Sequence, residues 1–112
     1  MTERNTSAIE TGDALAAKVQ VTPHRVTLES METKIETIEY INPELIPHMT
    51  LAIVMLVNGF CLVGRSTPAD AGNFDPELGK KFAREDAIRQ MWPLEGYVLR
   101  EALHVAEQDT GA

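Results

Sequence analysis

The chain is 112 residues long, 44% hydrophobic, and carries a formal net charge of −7. That length sets a single small domain with a modest core. The acidic balance excludes the basic footprint that a nucleic-acid backbone or an anionic membrane requires, so DNA, RNA and membranes are not expected partners.

Residues 1–20 mix Thr, Ser, Asn, Gly and Ala with scattered charges and no sustained period. They read as a flexible tail with a turn of helix at residues 14–19. The tail has no apolar run of the signal-peptide kind, and the longest apolar run of the chain, residues 51–57, is too short to span a bilayer. A soluble, cytoplasmic protein is the expectation.

Order begins at Val21. Thr22 suits a helix cap and Pro23 a first helical position, which predicts a helix of about two turns ending near Met31. Residues 34–41 (KIETIEYI) favour a strand by composition, although the alternation is imperfect. It reads either as an edge strand or as one that pairs across a subunit interface. Residues 49–57 (MTLAIVMLV) are almost wholly apolar and predict a strand buried on both faces. Asn58-Gly59 predicts a type I′ hairpin turn, with residues 60–66 returning as the next strand. Gly64 in that strand marks a bulge or a close approach of another backbone or a ligand. Cys61, the single cysteine, reads as a small buried hydrophobe.

A loop over residues 67–73 leads to Asp75 as cap and Pro76 as the first residue of a helix running to about Met91. Phe74 is placed to act as a hydrophobic staple. On that helix Leu78 and Phe82 form one apolar stripe and Ala83, Ala87 and Met91 another, which calls for two packing partners. Trp92-Pro93 should end the helix and anchor a helix–helix corner. A second helix follows, with Leu94, Val98, Ala102 and Val105 on its buried stripe. The fold class is α+β: about three antiparallel strands, two C-terminal helices and a short N-terminal helix. The domain spans 21–106, and residues 107–112 fray.

No enzyme is expected. His24, His48 and His104 are far apart and lie in three different predicted elements. No zinc spacing, phosphate-binding loop or serine-nucleophile motif is present. No cofactor or metal is implied. A binding role fits better, because a small phosphate ligand needs only a few arginines and a loop running into a helix N-terminus attracts anions. Asp75 at that cap would compete for the same donors.

Asn58-Gly59-Phe60, Gly64-x-Ser66, Asn73-Phe74-Asp75, Gly79-x-x-x-Ala83 and Trp92-Pro93-Leu94-x-Gly96-Tyr97-x-Leu99 follow in this order. The string resembles the small bacteriophage family of phage N4 gene product 49 and phage Sf six gene 66, over about residues 21–103. The family carries no assigned activity. More distantly, the chain is similar to sponge-type Thoeris anti-defence proteins of phages. Those bind cyclic ADP-ribose signals, in some cases also cyclic di- or trinucleotides, in pockets between subunits of an oligomer. That resemblance implies a homo-oligomer that sequesters a small anionic nucleotide-like immune signal in the host cytoplasm without turning it over. Phe60 would then stack on the base and Asn73 would hydrogen-bond ribose or base. Arg84 and Arg100 would clamp the phosphates, with Arg89 as a substitute for either. The competing reading is an accessory module that docks a host or phage protein, its acidic surface suited to a basic partner.

Overall fold

The computed structural model describes residues 8–110. The elements are α1 (Ala8–Lys18), α2 (Leu28–Glu32), β1 (Ile35–Ile41), β2 (Thr50–Leu56), β3 (Cys61–Ser66), a 3-10 turn (Ala71–Asn73) and α3 (Pro76–Thr110). The three strands form one antiparallel sheet in the order β1-β2-β3. α3 crosses one face of the sheet, and α1 and α2 pack beside it. The α+β class is therefore as the sequence predicts.

The core is the contact between the sheet and the first half of α3. Ala52, Val54, Leu56 and Leu62 meet Ala83, Ala87, Ile88 and Met91, with Met31 from α2 and Ile9 from α1 closing one side. Burying side chains the size of Met31, Val54, Ile88 and Met91 contributes about 1.5–3 kcal/mol each. Small residues bring the layers close. A Cβ on Gly64 would strike the backbone carbonyl of Ala83 and lie 2.6 Å from the Ala87 nitrogen, so Gly64 marks a close helix approach rather than a bulge. A Cβ on Gly79 would lie 2.5 Å from Thr50 Oγ1.

The bulge sits in β1. Ile35 faces Leu56 while Thr37 faces Met55, so Glu36 is the extra residue. It resets the phase so that Ile35, Ile38 and Tyr40 all pack toward the core, which accounts for the imperfect alternation of residues 34–41. β1 takes its partner, β2, from the same chain. The free edge of β3 is closed by α3: Asp86 Oδ2 accepts from Arg65 N–H at 2.9 Å and Gln90 Nε2 donates to Val63 O at 2.8 Å. Side chains of the helix thus stand where a further strand would pair.

Several expectations are corrected. α3 does not stop at Trp92-Pro93 but runs through Pro93 as one helix of 35 residues. A proline removes a single hydrogen bond, and buried Ile88 and Met91 with half-buried Trp92 hold the turn before it in place. The helix also continues through residues 107–110, where fraying was expected. The N-terminal stretch forms α1 instead of a tail with one turn of helix; residues 1–7 lie outside the described residues. Asp13 fastens α1, accepting from Arg25 at 2.9 Å and from Leu28 N–H at 3.0 Å. These donors hold its carboxyl below the usual carboxylate range, the Leu28 N–H being the largest cause, against a smaller opposing effect of burial.

α2 starts five residues later than Pro23. Thr27 is its cap, in a reciprocal capping box with Ser30, while the Thr22 hydroxyl accepts locally from His24 N–H. The hairpin is not type I′, because Gly59 is the one described residue outside the ordinary φ range, at φ 89°, and Asn58 is not. The loop is three residues, 57–59, closed by Gly59 N–H to Leu56 O at 2.8 Å and Leu56 N–H to Phe60 O at 2.8 Å. This is the arrangement that a left-handed glycine after an ordinary turn produces. β2 is buried on one face only. Leu51, Ile53 and Met55 point to the opposite face of the sheet, where Cys61 and Val63 are also exposed. Cys61 is thus not buried, because its register opposite Met55 places it on the uncovered side.

Candidate functional site

An apolar hollow forms where the hairpin tip meets α3. Leu56, Asn58 and Phe60 come from the hairpin, and Pro93, Leu94, Tyr97 and Val98 from the helix; Glu95 completes a space of about 360 Å³. The local sequence sets this geometry. Asn58 Oδ1 accepts from Phe60 N–H at 3.0 Å, which pins the Phe60 backbone just after the turn. Pro93 and Tyr97 lie four residues apart and therefore on one helix face. Phe60 is 49% exposed and Tyr97 67%, so two aromatic rings line an open hollow. Its carboxylate, Glu95, is held by Lys34 at 2.7 Å.

The five residues nominated for a ligand do not converge within one chain. Phe60 lines the hairpin-tip hollow. Asn73 ends the 3-10 turn and lines a separate hollow with Phe74, Leu78 and Phe82 near the start of α3. Arg84 sits in a third, beside Glu10, Glu32 and Glu85, and bonds Glu32 at 2.8 Å. Arg89 lines a fourth with Trp92 and α1. Arg100 lies on the projecting end of α3 and bonds Glu107 at 2.8 Å. Both proposed phosphate clamps are thus paired with carboxylates of their own chain.

The helix N-terminus is likewise occupied. Asp75 Oδ1 accepts from Glu77 N–H at 3.0 Å and Leu78 N–H at 3.2 Å, so the donors that would draw an anion already hold one. Phe74 packs over this first turn, its ring 3.4 Å from where a Cβ on Gly79 would stand. Trp92 is half-buried against the core and lines a hollow with α1, where a corner between two helices was expected. Among the described residues no three His, Cys, Asp or Glu side chains are grouped to hold a metal, and no helix is long and apolar enough to cross a membrane.

Sequence reasoning passed over two features of these surfaces. Tyr97 belongs with Phe60 in the hollow, which its position one turn beyond Pro93 signals. The second is the outer face of the sheet, a diagonal of Ile41, Leu51, Ile53, Met55 and Val63 bordered by Glu39 and Arg65. Its signal is numerical: residues 49–57 supply two apolar faces, and the chain has one helical layer to cover them.

Residues 21–103 match a family described as Phage protein (N4 Gp49/phage Sf6 gene 66). The matched stretch contains α2, the whole sheet and α3 as far as Leu103, and leaves α1 outside. No curated protein and no solved structure matches the chain.

Proposed function

We propose a function on the premise that this chain belongs to the N4 Gp49/phage Sf6 gene 66 family of phage proteins: it is a non-catalytic docking module, and its outer sheet face receives another protein. The observation that carries this reading is the outer-face diagonal of exposed Ile41, Met55 and Val63 with half-buried Leu51 and Ile53 between them. Apolar patches of this kind on a small domain mark interaction sites. With a net charge of −7 the chain favours a basic partner, steered by the field around the patch.

The test is affinity capture from host and phage lysates with three forms of the chain. The reading predicts one stoichiometric partner on the wild type, weaker capture at high salt, and loss of that partner with Val63→Asp. Leu45→Asp, on an exposed residue of the β1–β2 loop, should capture as well as wild type. Equal capture by Val63→Asp overturns the assignment of this face.

A second reading, sequestration of a nucleotide-like signal, has one observation in its favour: two exposed aromatic side chains, Phe60 and Tyr97, line one open hollow, and base stacking needs such side chains. It requires Arg84 or Arg100 to release its carboxylate, or a neighbouring copy to supply the cation. Calorimetric titration with cyclic ADP-ribose isomers and cyclic di- and trinucleotides tests it. Sub-micromolar, saturable binding that Phe60→Ala abolishes, with the ligand recovered intact, would put this reading first.

A further inference from the structure

We infer that the hollow between α1, α2 and the first half of α3 is a cation site. It takes an organic cation, an alkylammonium or alkylguanidinium, with the charged head against the carboxylate of Glu85. The hollow lies on the helical side of the sheet, so the inference does not rest on the docking reading of the outer face.

The first observation is Glu85 itself. It is 8% exposed and is the one buried charged residue among the described residues. No hydrogen bond or ion pair reaches its side chain among those residues. By contrast, Asp13 holds Arg25, Glu32 holds Arg84 and Glu95 holds Lys34. Drawing an ionised carboxylate out of water without a partner is costly, and a cation that reaches it offsets that cost.

The second observation is access. Among the described residues, no side-chain nitrogen or oxygen that is sealed from solvent lacks a hydrogen-bond partner. The unpartnered Glu85 carboxylate is therefore not sealed, and it lines a hollow of about 200 Å³.

The rest of the lining selects the occupant. Three carboxylates, those of Glu10, Glu32 and Glu85, stand against one guanidinium, that of Arg84, which Glu32 already holds at 2.8 Å. Ile9, Leu28 and Ile88 complete the walls and offer apolar surface to an alkyl stem. A metal ion fits poorly: it needs a fuller set of oxygen ligands, and no three acidic, His or Cys side chains of the described residues are grouped to supply one.

The test is an NMR titration of the full chain, following backbone amide shifts, with n-butylammonium and n-butylguanidinium. Saturable shifts centred on Leu28, Glu85 and Ile88 are expected. n-Butanol, the same stem without the charge, should give none, a comparison that needs no variant. Glu85→Gln keeps the shape and removes the charge, and should weaken cation binding by about tenfold or more. Glu101→Gln, on an exposed position of α3, should bind as wild type does. A blocked tripeptide with a central arginine distinguishes the source: tighter binding than n-butylguanidinium points to a basic side chain of a protein, weaker binding to a free amine, and either supports the site. No saturable shift with any of the cations, equal binding of n-butanol, binding indifferent to Glu85→Gln, or shifts centred elsewhere overturns the inference.

Discussion

The two halves of α3 carry the same apolar period and meet different fates. Residues 76–92 lie on the sheet, where Gly64, Gly79, Ala83 and Ala87 let helix and strand backbones come into near contact. Residues 93–110 carry Leu94, Val98, Ala102 and Val105 at the same spacing, and these stay exposed, Leu94 and Val98 lining the open hollow at the hairpin tip with Leu56 and Phe60. The difference teaches that periodicity specifies which face of a helix is apolar, while the size of the facing residues specifies what covers it. The first half is coded for close approach by absence of side chain. The second offers bulkier, branched residues, suited to contact between side chains.

The sharpest way to break this comparison is at Gly64. Gly64→Val places a branched side chain against helix backbone that has no room to yield, and should cost about 3 kcal/mol or more. The expected result is a large drop in the urea midpoint, or loss of the folded state. A change below about 1 kcal/mol would mean that the helix lifts freely from the sheet.

The next test compares the stripe with itself. Met91→Ala should cost about 2–5 kcal/mol by opening a cavity in the core, whereas Val98→Ala should cost no more than about 0.5 kcal/mol in dilute samples. Equal costs in dilute urea titrations would show that the second half is as well packed as the first.

Pro93 divides the halves, and Pro93→Ala should stabilise the chain by about 2–3 kcal/mol by restoring helix propensity and one hydrogen bond. A rise in Tm checks this. No rise would mean that tertiary contacts already offset the proline.

The smallest effect concerns α1, which packs on the first half beside Trp92. Asp13→Asn should cost about 1 kcal/mol near neutral pH by weakening the bonds to Leu28 and Arg25. The folded pKa of Asp13 lies below its ordinary value of 3.8. Its contribution is therefore complete above that value and is lost as pH falls through the lower, folded one. The difference between wild type and variant, followed by Trp92 fluorescence, should thus shrink only in strong acid.

Much of this fold is legible in local chemistry. The strands, Asp75-Pro76 at the start of α3 and the significance of Gly64 all follow from residue types whose backbone preferences are strong. The type I′ turn fails by one residue, because a single left-handed glycine with an Asn side-chain bond satisfies the loop as well as two left-handed residues do. The break at Pro93 fails because pre-proline preference is a local bias that packing of Ile88, Met91 and Trp92 outweighs. α1 is missed because its buried side chain, Ile9, meets partners far along the chain, and Asp13 finds its donors 12 and 15 residues later. The nominated ligand residues are chosen for what each does alone. Where Arg84 and Arg100 find their carboxylates is a property of the folded chain.

The place of Pro93 has a mechanical consequence. Pro93 has no N–H to give the carbonyl of Arg89, so the softest point of α3 lies just past Met91, where complete burial of the helix ends. The remainder extends about 25 Å and is tied back near its root by the Lys34–Glu95 ion pair, so a bend at Pro93 strains that pair. A partner gripping α3 near Val105 has leverage on the proline turn and, two residues behind it, on Met91 in the core. Force or binding at the far end of the helix is thereby delivered to one bond-deficient turn instead of being spread along the molecule.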